Sequence, residues 1–172
     1  MSLVYYAFIK DKAAVTNSAF ESYTASLGLR LTVHPEHDYL KDTGFAPVCL
    51  EDSRFTQNGV GRFITGFESY PSLYSPKQGA TKELPFDPKK IEGRTFVLFL
   101  SCGMSDAFEP LIAYLFGAFC IKCCGGVFYD PQDDICWDDL SEIERTIASD
   151  IEELIPAVKQ GQLPTHEFEG WI

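Results

Sequence analysis

The chain carries 25 Asp+Glu against 14 Lys+Arg over 172 residues, a formal net charge of −11, and 45% of it is hydrophobic. That apolar fraction excludes a disordered acidic tail. The sign of the charge excludes a general nucleic-acid binder, which needs cations to displace counterions from phosphate. At this length a single domain, 1–172, is expected, burying about two-thirds of its unfolded surface.

Residues 3–9 (LVYYAFI) form a short aromatic run expected to be a buried strand, and with no basic region before it they do not read as a signal peptide. A helix is expected at 16–27, capped by Thr16 or Asn17, with Phe20, Tyr23, Thr24 and Leu27 on one face and Gly28 stopping it. Residues 29–33 alternate apolar and polar, as a half-buried strand does, and 47–50 suggest a short edge strand. Residues 61–70 are a further strand, with glycines that suggest a bend or bulge. Residues 71–93 contain Pro71, Pro76, Pro85, Pro88 and four lysines, and read as one long loop.

The run Thr95 to Leu100 is continuously apolar and typical of a central strand. A helix follows. It starts at Asp106 with capping-box spacing to Glu109, or one turn later with Pro110 as its first residue, and the residues suit either start. Phe108, Leu111, Ile112, Leu115, Phe116 and Phe119 share its main face, while Gly117 is a helix-weakening residue that close packing could offset. Gly125-Gly126 ends it and residues 127–129 form a short strand. A last helix is expected near 138–158, its apolar stripe running from Leu140 to Val158 and its end or a kink set by Pro156. Glu144 falls inside that stripe, against the pattern. A loosely ordered tail is expected at 160–172. Strands and helices mix without regular alternation, so the fold class is α+β: an antiparallel or mixed sheet with helices packed mainly on one face.

No segment is long and apolar enough to span a bilayer. Six cysteines in a chain with ample core residues do not need to be disulfides, so a reduced, cytoplasmic protein is expected. Cys120-x-x-Cys123 and His34-x-x-His37 have zinc-ligand spacing, but both cysteines follow their helix's own periodicity and read as core. Cys102 after a strand superficially resembles a nucleophile turn, with His34, His37 and His166 as available bases, yet it lacks the flanking glycines of the hydrolase elbow. The Asp130–Asp139 cluster does not fit an EF-hand loop. No catalytic residue, metal site or cofactor is assigned; a metal-dependent or cysteine-based enzyme using that cluster or Cys102 is the alternative reading.

Charge is what remains. Residues 130–153 hold ten acidic groups against the single Arg145, so this segment alone carries −9 of the −11. A dense acidic field attracts basic partners. Asp130, Asp133, Asp134, Asp138, Asp139 and Glu142 are therefore the expected binding footprint, with Tyr74 and Phe86 of the proline-rich loop as exposed apolar anchors.

The succession Gly66-Phe67-Glu68-Ser69-Tyr70, TFVLFLSCG, a buried Ala/Phe helix and GGVFYDPQDD resembles small bacterial immunity proteins of polymorphic-toxin and contact-dependent secretion systems. The resemblance covers roughly residues 60–135. It implies a non-enzymatic cytoplasmic protein that binds and blocks a cognate secreted toxin. The expected partner is a basic protein, with no nucleic acid and no membrane involved.

Overall fold

The structure, a computed structural model, describes residues 2–56, 61–75, 86–103 and 106–161. Among the described residues seven strands form one sheet: β1 (Leu3–Ile9), β2 (Arg30–Val33), β3 (Gly44–Glu51), β4 (Arg62–Leu73), β5 (Phe96–Cys102), β6 (Val127–Asp130) and β7 (Ile135–Trp137). Every pairing is antiparallel, in the order β2-β3-β4-β5-β1-β6-β7. The described residues also form three α-helices: α1 (Asn17–Ser26), α2 (Phe108–Cys124) and α3 (Leu140–Lys159). The class is α+β, as the irregular alternation implied. Among the described residues no helix is long and apolar enough to cross a membrane.

Strand alternation sends two sets of side chains to opposite faces. On one face, Tyr5, Ala7 and Ile9 of β1 and Leu98, Leu100 and Cys102 of β5 join Leu111, Ile112, Leu115, Phe116 and Phe119 of α2 in the main core. The helix α2 is buried along almost its whole length, because it lies between the sheet and both other helices. Gly117 is required there: a Cβ would come within 2.5 Å of the Phe128 ring on β6. The expected offset for that glycine is this close approach.

The second face is built from Phe8, Val127 and Tyr129, with Tyr6, Val97, Tyr74, Phe86 and Ile91 packed against them. This alters the reading of residues 71–93 as one loop. Residues 71–73 are the end of β4, and Pro88–Ile91 form a 3-10 turn; residues 76–85 lie outside the described part. Pro71 fits the strand because β3 pairs with β4 only as far as Ser69, so nothing on that side needs its missing N–H.

One other expectation changes. The segment 47–50 belongs to an eight-residue inner strand and is not an edge; β2 and β7 are the edges. Opposite its Pro47 stands Gly66, where a Cβ would collide with the Ala46 carbonyl, so glycine is needed for the two backbones to approach. Pro156 lies in the last turn of α3, which ends three residues later at Lys159, close to the expected end. Of the 160–172 tail, only Gln160 and Gly161 are described.

Helix ends follow local chemistry. Thr16 caps α1 by accepting from the Ala19 N–H at 3.2 Å. The helix α2 begins at Phe108, between the two expected starts, and the Phe108 N–H donates to Asp106 Oδ1 at 2.8 Å. Pro110 therefore lies inside the first turn, where no intrahelical N–H bond is lost. The two sheet edges each receive a charged side chain. Glu21 Oε1 accepts from the Val33 N–H of β2 at 2.8 Å, and Lys90 Nζ donates to the Cys136 carbonyl of β7 at 3.4 Å.

Candidate partner-binding surface

The acidic segment folds as the β6–β7 hairpin followed by α3. Residues 131–134 form the turn, and Asp134 takes a left-handed conformation at φ 56°, which Asp tolerates better than most residues. Asp130 organises this turn from inside. It is 3% exposed, its Oδ1 accepts from the Gln132 N–H at 2.8 Å, and its Oδ2 accepts from the Tyr114 hydroxyl at 2.5 Å. Asp130 therefore leaves the expected exposed footprint: it is the buried strut of the hairpin.

The remaining five carboxylates are exposed. Asp133 and Asp134 stand on the turn, and the Tyr129 hydroxyl reaches Asp134 Oδ1 at 3.3 Å. Asp138 pairs with Lys90 Nζ at 3.0 Å, which removes part of its field. Asp139 is the N-cap of α3, accepting from the Ser141 N–H at 2.7 Å and its hydroxyl at 2.6 Å; these bonds hold its carboxyl below the usual range. Glu142 occupies the first turn of α3, where the helix dipole favours an anion. Asp133, Asp134, Asp138, Asp139 and Glu142 thus line one hairpin tip and one helix start.

Tyr74 and Phe86 are not free anchors. Tyr74 is half-buried, edge-on to Phe8 at 5.2 Å, and Phe86 is half-buried, 4.8 Å from Tyr129. Their apolar area is used in covering the second sheet face. Phe86 nevertheless abuts Tyr129, whose hydroxyl meets the acidic turn, so it supports that turn from beneath. The sequence did not single out Lys90, which lies 48 residues from Asp138 and carries no local signal. Nor did it single out β7, whose three residues are too short for a periodicity.

The residues of the alternative chemistry are scattered. Cys102 is fully buried on β5; burial first, then the Glu109 and Asp106 carboxylates, push its thiol up. Glu109 is itself buried on α2 and accepts from the Gly103 N–H. A nucleophilic cysteine needs the opposite surroundings. Cys120 is fully buried, but Cys123 is exposed, so only one of the pair is core. The difference arises because α2 nears its end and presents one side to solvent. His34 and His37 line a polar hollow with Lys41, Asp42 and Thr43. Among the described residues no three His, Cys, Asp or Glu side chains are grouped to hold a metal ion.

No protein-family model, no curated protein and no solved structure matches this chain.

Proposed function

We propose that this chain is a non-enzymatic binding protein, an immunity protein that neutralises a basic bacterial toxin in the cytoplasm. The observation that carries the reading is the crowding of five exposed carboxylates on the β6–β7 turn and the start of α3. Lys90 offsets part of the Asp138 charge, and the field left by the others raises association rates with an oppositely charged protein and rejects like-charged ones. The buried state of Cys102 and its raised thiol favour this reading over a cysteine-based enzyme. The resemblance to immunity proteins supplies the class of partner.

The test asks whether a secreted-toxin gene lies beside this one and measures binding of the full chain to the toxin domain that gene encodes. Asp133→Lys, Asp134→Lys and Glu142→Lys together should slow association by about tenfold or more at low salt, with the difference shrinking as salt rises. Asp139 is left in place because it caps α3. Full affinity of the triple variant at low salt would overturn the surface assignment.

A further inference from the structure

A second acidic feature lies in the same segment but differs in kind. Between the start of α2 and the second half of α3 runs a groove of about 370 Å³. Asp150, Glu153, Leu154 and Ala157 line it from α3, at the spacing that puts side chains on one helix face. Pro110 and Leu111 face them from α2. The groove therefore has apolar walls and two carboxylates.

Neither Asp150 nor Glu153 makes an ion pair among the described residues. Asp150 is half-buried, and burial, followed by the Glu153 charge, pushes its carboxyl up. Like charges one helical turn apart destabilise each other, and partial burial adds to that cost. A cation between them would relieve both.

We propose that this groove receives a lysine or arginine side chain from a basic protein partner. Its methylene stem lies on Pro110, Leu111, Leu154 and Ala157, and its cationic head sits between Asp150 and Glu153. Long cationic side chains bury their stems on apolar surface in this way. The occupant proposed is a foreign cation, since residues 162–172 bring Glu167 and Glu169 but no Lys or Arg. The inference rests on the binding-protein reading and adds a specific pocket to it.

The experiment titrates the isotopically labelled full chain with an acetylated, amidated Gly-Arg-Gly peptide and follows amide resonances. The same peptide with citrulline, which is neutral and nearly isosteric, is the control. Saturable shifts at Leu111, Asp150, Glu153 and Ala157 with arginine and none with citrulline are expected. Asp150→Asn with Glu153→Gln should weaken binding about tenfold while the remaining spectrum stays native. Shifts confined to Asp133–Glu142 would overturn the groove and leave the acidic-surface reading standing; shifts nowhere would overturn both. Movement of the groove resonances in Trp171→Ala without peptide would make the chain's own C-terminus the occupant and overturn the proposal.

Discussion

The Tyr114 hydroxyl donates to Asp130 Oδ2 at 2.5 Å, joining the middle of α2 to the end of β6 in the interior. Tyr114 also lies edge-on to Tyr5 and Phe128, at 5.5 Å from each, so its ring is fixed on two sides. Burial and this bond both push the Tyr114 hydroxyl up, which keeps it a donor at any physiological pH. Tyr114→Phe should destabilise the chain by about 1.5–3 kcal/mol, since the bond lost is to a buried carboxylate. Urea unfolding checks this. Because Asp130 shapes the acidic turn, Asp130→Asn should also change amide shifts at Asp133 and Asp134; an unaltered turn would deny Asp130 that role.

Tyr23 supplies the partner that the α3 sequence pattern lacked. Its hydroxyl donates to Glu144 Oε1 at 3.0 Å, across 121 residues of chain. Tyr23→Phe should cost about 1 kcal/mol. A double-mutant cycle with Glu144→Gln should return a coupling of similar size, whereas additivity would show that the contact contributes nothing.

What was legible in the sequence follows from how local each signal is. The stripe of α3, the Thr16 cap and the apolar run of β5 depend on neighbours within a few residues, and these elements lie where the pattern put them. Glu144 looked anomalous because its partner sits on α1. The position of β1 between β5 and β6 is equally invisible, since no residue within β1 encodes its neighbours. At the candidate surface, the density of acids was readable, but their division into exposed Asp133 and buried Asp130 was not. That division depends on which face of β6 meets Tyr114. Tyr74 and Phe86 misled for a related reason: aromatic residues in a polar, proline-rich stretch look exposed until a second sheet face needs covering.

Gly117→Ala sets two effects against each other. Alanine gains about 1 kcal/mol in helix propensity. The added methyl would lie within 2.5 Å of the Phe128 ring, which is fully buried and cannot retreat. Overpacking of this kind costs about 1–3 kcal/mol, so a net loss in melting temperature is expected. Phe128→Leu combined with Gly117→Ala should lose less than the sum of the two single changes.

His37 makes stability depend on pH. Its side chain is 6% exposed, its ring lies 4.7 Å from Tyr39, and its Nε2 has no hydrogen-bond partner among the described residues. Burial lowers its pKa, against the opposing pull of Asp42 and Asp38. The unfolded chain therefore takes up the proton first. This contribution is fully present above about pH 6.5, the unfolded value, and is lost as pH falls below it. Denaturant unfolding at about pH 7.5 and pH 5.5 should show the loss, and His37→Gln should reduce it. Equal slopes in the two proteins would remove His37 as the cause.

Cys102 and Cys123 should separate cleanly under alkylation. Cys123 is exposed, whereas Cys102 is buried beside two carboxylates that oppose its ionisation. Iodoacetamide on the native chain should label Cys123 and spare Cys102 until the protein unfolds. Rapid native labelling of Cys102 would return the cysteine-enzyme reading to contention.

The pairing of β1 with β5 has a consequence for how the protein is made. Leu3 pairs with Cys102 and Tyr6 with Tyr129, so β1, once out of the ribosome, waits for partners encoded far downstream. At roughly 5–20 residues per second, that wait is on the order of ten seconds, with an aromatic strand uncovered throughout. The nascent chain should therefore depend on chaperones during synthesis, and slowing translation ahead of β5 should lower its yield.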